Sequence, residues 1–172
     1  GKMCQKIGLA LNVQPQNLTF ILLKNKDKHM SHIVIIGSGH SGLTLAREIR
    51  LRNTDCQITL LSKESICAYY KPNLSKALSS DKTAEQLIMK TAETLSAELK
   101  ADCISLVKVL DINSEKQECS YQSIDEHGSI NQVITTLHYD KLVLAIGASP
   151  IQLPESIVKS DKVLHINNLD DY

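Results

Sequence analysis

Ile33-Val34-Ile35-Ile36-Gly37-Ser38-Gly39-His40-Ser41-Gly42 is an apolar strand signal that empties directly into a GxGxxG turn. Each glycine has a physical task. Gly37 permits the tight turn, Gly39 lets the backbone approach a pyrophosphate, and Gly42 lets the following helix pack against the strand. That helix is predicted from His40 to about Arg52, with Leu43, Leu45, Ala46, Ile49 and Leu51 on its buried face. Its first N–H groups and the positive end of its dipole face the phosphates. Gly37, Ser38, Gly39, His40, Ser41 and Gly42 are therefore the candidate phosphate loop of a dinucleotide site.

Working outward, Gln57-Ile58-Thr59-Leu60-Leu61 reads as a second strand, and the two strands with their helix open a βαβ unit. A loop over 62–80 carries Tyr69-Tyr70-Lys71-Pro72, with a helix start near Asn73. A helix is predicted over 91–100, where Leu95 and Leu99 share a face. Cys103-Ile104-Ser105-Leu106-Val107 and its neighbours give a third strand, placed after a helix as a doubly wound sheet requires. Residues 116–124 and 130–137 alternate around Asp125-Glu126-His127-Gly128, which is a hairpin signal. Lys141-Leu142-Val143-Leu144-Ala145-Ile146-Gly147 then restores a buried parallel strand, ahead of Pro150. The expected fold is α/β, Rossmann-like, with a parallel sheet and an inserted antiparallel β-meander.

Residues 1–30 differ in character. Pro15, several amides and Lys24-Asn25-Lys26-Asp27-Lys28 suggest an N-terminal extension, in which 18–23 could pair as a strand or tuck into a groove. Met30-Ser31-His32 leads into the first strand as a natural protein start would.

Several residues could carry chemistry. A dinucleotide site places an acid near the end of its second strand, about 20 residues after the glycines. Glu64 stands 22 positions past Gly42 (64 − 42), and Ser62 and Lys63 before it could add backbone or side-chain contacts. A solvated loop glutamate is the plainer reading. Pro72 stiffens its turn and biases Lys71 away from helical geometry, aiming the ammonium in a fixed direction. A lysine near a flavin could bond its N5/O4 edge, although a lysine beside a proline is usually just exposed. Ala145 and Gly147 end the last strand with small residues, which would let a cofactor or the glycine loop come close.

The bulk composition narrows the function class. The 172 residues carry 19 basic and 19 acidic side chains, so no net field argues for nucleic acid or an anionic membrane. One Phe, five Tyr and no Trp weaken any base-stacking surface. The longest apolar run near the start is too short to cross a bilayer. Cys4, Cys56, Cys67, Cys103 and Cys119 form no CxxC or metal spacing, which suits reduced thiols and a cytoplasmic location. The six histidines show no HxxxH or HExxH pattern.

With these pieces in order, 31–172 resembles the N-terminal FAD domain of the rubredoxin–NAD reductases. The resemblance rests on HIVIIGSGHSG, on YYKPNLS at 69–75, on KLVLAIGASPI at 141–151 and on HINNLDDY at the C-terminus. The wider family is that of pyridine-nucleotide-disulfide reductase-like flavoproteins, which include ferredoxin reductases and the reductase serving flavorubredoxin. The resemblance implies that residues 37–42 take the FAD pyrophosphate and that Ser62, Lys63 and Glu64 meet the adenosine ribose. It places Lys71 at the flavin, Val109 of the third strand on the adenine side, and Ala145 with Gly147 along the cofactor. It implies NADH as hydride donor and rubredoxin, or a similar small iron carrier, as partner, which in turn serves an alkane hydroxylase. Lys63, Lys71, Lys76 and Lys82 could greet an acidic carrier, or simply belong to a balanced charged surface.

Two departures from that family pattern matter. No CxxxxC pair lies near the flavin position, and Cys67 lacks a partner at that spacing, so flavin is the expected redox centre without a dithiol relay. A single GxGxxG is present, and Tyr172 falls about where an NADH domain should begin. The expectation is a partial FAD-binding domain over 31–172, truncated before the NADH-binding domain. A non-enzymatic dinucleotide-binding module is the alternative from another class.

Overall fold

The computed structural model describes residues 8–10, 21–23, 30–125, 129–148 and 166–172. Cys4, Pro15, the charged stretch 24–28, the turn residues Glu126, His127 and Gly128, and Pro150, Ile151 and His165 lie outside the described residues. The chain divides into two compact units, Gly1–Met30 and Ser31–Tyr172. In the first, β1 (Gly8–Ala10) pairs antiparallel with β2 (Ile21–Leu23), Gly8 opposite Leu23.

The second unit opens with β3 (His32–Ile36), α1 (His40–Arg52) and β4 (Gln57–Leu61). After β5 (Ala68–Tyr69) come a 3-10 turn over Lys71–Asn73, α2 (Leu74–Ala77) and α3 (Ala84–Leu87). β6 (Ile88–Lys90), α4 (Ala92–Leu99) and β7 (Asp102–Ile104) follow. The meander strands are β8 (Val107–Asn113), β9 (Glu118–Ile124) and β10 (Ile130–His138), and β11 (Lys141–Leu144) closes the set.

The organising sheet is parallel, in the order β11-β3-β4-β7. The runs Ile33-Val34-Ile35-Ile36 and Ile58-Thr59-Leu60-Leu61 place apolar side chains on both faces of the sheet, as suits a sheet covered on both sides. Val34, Ile36 and Leu61 pack with Cys119 and Tyr121 of β9. Alternation turns Ile33 and Ile35 to the opposite face, where α1 meets β3 and α4. Thr59, buried within the sheet, has its hydroxyl satisfied by Nε2 of His32 at 2.8 Å. The meander is the antiparallel sheet β10-β9-β8.

Two expectations, one a helix face and one a strand end, are corrected, each for a local reason. Leu51 is 79% exposed, because two residues past Ile49 carry it about 200° round the helix, onto the solvent side. The third parallel strand ends at Ile104. Leu106 adopts φ +55°, and Val107 N–H donates to Ser62 O at 2.9 Å, so the chain leaves the sheet there and starts the meander. Val109 accordingly lies in β8, opposite Tyr121, and not in the third strand.

α1 is tied down at its C-terminal end by one side chain. Arg50 donates from Nε to Leu99 O at 2.7 Å and from Nη2 to Lys100 O at 3.0 Å, capping α4. Its Nη1 reaches Thr54 O at 2.7 Å in the loop after α1. Arg50→Met is expected to lower unfolding free energy by about 2 kcal/mol in urea, since several carbonyls lose a charged donor. A loss below about 0.5 kcal/mol would place these bonds among ordinary surface contacts.

Candidate functional site

The glycine loop leaves the sheet at Gly37, whose N–H donates to Leu61 O at 2.8 Å. Gly37 has φ +109°, and a Cβ added there would lie 2.2 Å from Ala145 O. A Cβ at Gly42 would lie 2.0 Å from Gly37 O and 3.5 Å from the Ala145 Cβ. Both positions therefore require glycine for close approach. The small residue expected at the end of β11 admits the glycine loop itself, since Ala145 is the surface on which Gly37 and Gly42 rest. Ala145 N–H in turn donates to Ile36 O at 2.7 Å.

Gly39 is different. It is the N-cap of α1 at φ −66°, it is exposed, and a Cβ there would meet nothing within 4 Å. No side chain caps α1, and its first turn holds no acidic residue. The helix thus presents uncapped N–H groups and an uncompensated positive dipole end beside open space. His40 opens the helix, exposed, and Ser41 is half-buried. These residues fit a dinucleotide pyrophosphate: a tight backbone on one side, and room with donors on the other.

Ser62 proves to be a tie between elements. It is buried, accepts from Ser38 Oγ at 2.9 Å and from Glu64 N–H at 3.2 Å, and its backbone bonds Ile104 and Val107. The phosphate loop is thereby linked to the loop after β4. Lys63 and Glu64 are exposed at that loop. The Glu64 carboxylate accepts from Asn168 Nδ2 at 2.7 Å. Lys71 opens the 3-10 turn instead of standing extended before it; Tyr70, its N-cap, is the extended residue. Pro72 occupies an early turn position where no N–H is needed. The Lys71 ammonium donates to Asn167 Oδ1 at 2.7 Å.

Asn167 and Asn168 are the site residues that sequence reasoning missed. They stand 96 and 104 positions from their partners. The local signal was an Asx pattern, Asn167-Asn168 with Asp171 a few residues on, whose carboxylate accepts both asparagine N–H groups at 2.8 and 3.1 Å. Tyr69 is half-buried, packs on Leu74, Ala77 and Leu87, and has its phenol pushed up by burial. Tyr70 is exposed. Gly147 has φ +70° with open space about it, and it lies just past Ala145. Val109 packs on the core formed by Val34, Ile36, Leu61 and Val107.

Cys56, Cys67, Cys103 and Cys119 are free thiols, each pushed up chiefly by burial. A raised folded-state value means that the unfolded chain loses these protons first. Their contribution to stability is complete below the unfolded thiol range and is lost as pH rises beyond about 8.5. The urea midpoint is therefore expected to fall between pH 7.5 and 9.5, and to fall less in Cys119→Ala. An unchanged or rising midpoint would contradict this.

Residues 31–172 match the pyridine nucleotide-disulphide oxidoreductase family, and the chain belongs to it. Fold and family match thus place residues 31–172 within the class of pyridine nucleotide-disulphide oxidoreductases. Among particular relatives, the chain is 39% identical over 143 residues to rubredoxin-NAD(+) reductase of Acinetobacter baylyi, covering 83% of this chain and 35% of that protein. The chain thus spans about a third of the length of that relative. A solved structure of the covalent putidaredoxin reductase–putidaredoxin complex is 30% identical at a TM-score of 0.56, over 72% of this chain and 27% of that one. Reduced Bacillus anthracis CoADR-RHD shares the fold at a TM-score of 0.71 and 20% identity, over 83% of this chain and 25% of that one. Among the described residues no helix is long and apolar enough to cross a membrane.

Proposed function

We propose that residues 31–172 are the FAD-binding part of an NADH-dependent reductase that passes electrons to rubredoxin, supplying an alkane-hydroxylating chain. The observation that carries the reading is the uncapped N-terminus of α1 beside Gly39, with open space where a Cβ would project. In this reading Gly37, Ser38, Gly39, His40, Ser41 and Gly42 hold the pyrophosphate. Ser62, Lys63 and Glu64 lie toward the adenosine ribose, Lys71 lies at the flavin, and Ala145 with Gly147 borders the cofactor. Val109, which also packs on the core, lies on the adenine side. FAD supplies two-electron acceptance and one-electron release when bound; the chain's part is to hold and orient it and to exclude water. Residues 1–30 are an N-terminal extension.

The rubredoxin relative supports rubredoxin as acceptor. The likeness to a putidaredoxin reductase bound to its carrier supports a second reading, a ferredoxin-type iron–sulfur acceptor. Flavin fluorescence on titration with the chain tests the cofactor, with saturable quenching expected in the micromolar range or tighter, about 8 kcal/mol or more. No quenching by a folded chain would remove the FAD reading. The rates of NADH-driven reduction of rubredoxin and of a [2Fe–2S] ferredoxin by the enzyme then separate the two acceptors, the faster one deciding.

A further inference from the structure

Residues 166–172 form a small knot whose polar groups point at both loops of the proposed cofactor site. The Asp171 carboxylate gathers the N–H groups of Asn167 and Asn168, and Asp171 N–H returns to Asn168 Oδ1 at 2.9 Å. With the backbone fixed in this way, the Asn167 amide and the Asn168 Nδ2 reach outward. Asn167 Oδ1 accepts the Lys71 ammonium at 2.7 Å, while its Nδ2 donates to Ala148 O at 3.4 Å beyond β11. Asn168 Nδ2 donates to the Glu64 carboxylate at 2.7 Å. The two amides show opposite polarity to their partners, oxygen toward the cation and nitrogen toward the anion, as their chemistry requires.

The knot is itself anchored. Leu169 and Tyr172 pack on Leu74, Ala77 and Leu87, and the Tyr172 hydroxyl donates to Lys82 O at 2.8 Å. An exposed lysine on a four-carbon stem loses much rotamer freedom when held, so an anchored acceptor is what gives its ammonium a fixed place.

We propose that Asn167 is a positioning residue that acts through Lys71, holding its ammonium for the flavin, while Asn168 holds Glu64 at the opposite loop. The proposal rests on the FAD reading above, and its test has one arm that needs no cofactor. In that arm, each lysine's acetylation by limiting acetic anhydride is followed by mass spectrometry. Lys71 is expected to label about threefold more slowly than the exposed Lys63 and Lys76, and Asn167→Ala to bring it to their rate. Asn167→Asp keeps an acceptor and keeps the protection. Equal Lys71 labelling in the wild-type and Asn167→Ala chains overturns the proposal whether or not FAD binds.

The second arm is a mutant cycle on FAD affinity. Asn167→Ala is expected to weaken binding about three- to tenfold, and to add nothing in a Lys71→Met background. Equal loss in both backgrounds means that Asn167 supports the fold without working through Lys71, and the proposal falls. If the wild-type chain protects Lys71 yet binds no FAD, the cofactor reading fails while the contact to Asn167 stands.

Discussion

Gly37→Ala is expected to lower unfolding free energy by about 2–5 kcal/mol, a large effect for a single methyl group. Two independent costs add. A Cβ would lie 2.2 Å from Ala145 O and 2.6 Å from Ala145 C, which are backbone atoms of a paired segment that cannot rotate away. Forcing β11 aside costs about 1–3 kcal/mol as overpacking. The backbone at φ +109° adds about 1–2 kcal/mol for any L side chain. Against a typical total of about 5–15 kcal/mol, the variant sits near the edge of folding. Urea unfolding followed by far-UV circular dichroism reads the loss directly. A change below about 1 kcal/mol would mean that the turn relaxes and that Gly37 is a convenience. Gly42→Ala, with its Cβ 2.0 Å from Gly37 O, makes the same contact from the helix side. Because both variants damage the fold, neither reports on the cofactor.

Much of this architecture is legible in the sequence. The strand–turn–helix from His32 to Arg52 stood out because the apolar run, the glycines and the helical period agree with one another. The meander showed through its alternation, and its three strands carry the side chains that cover one face of the sheet. What failed to show depends on conformations that residue type conceals. Leu106 at φ +55° breaks the third strand, and no composition rule marks a leucine for that region. Reading on through it carried Val109 into the wrong sheet. The tie that Ser62 makes among Ser38, β7 and the meander is hidden in the sequence, because it depends on tertiary pairing. The Asx pattern at Asn167-Asn168 is local, but their bonds to Lys71 and Glu64 are not legible from it, since those partners are about a hundred residues away.

Gly39→Val is expected to do the reverse of Gly37→Ala: leave the fold nearly intact and weaken FAD binding at least about tenfold, or 1.4 kcal/mol. Gly39 already has φ −66° and ψ −176°, an extended conformation that valine adopts readily. Nothing lies within 4 Å of its would-be Cβ, so no protein atom has to move. The folding cost is confined to exchanging a glycine N-cap for a poorer one, at most about 1 kcal/mol. The branched side chain instead fills the space beside the uncapped N–H groups of α1, keeping a phosphate from approaching them. Flavin fluorescence titration of Gly39→Val, with its urea curve measured beside it, gives both numbers from one protein. Gly39→Ala grades the effect, since one methyl obstructs less than an isopropyl group. A stable Gly39→Val chain that binds FAD as well as the wild type would show that the pyrophosphate passes elsewhere, and the glycine loop would then be a packing device alone. Weak binding from a destabilised chain would instead mean that the open space beside Gly39 is needed by the fold.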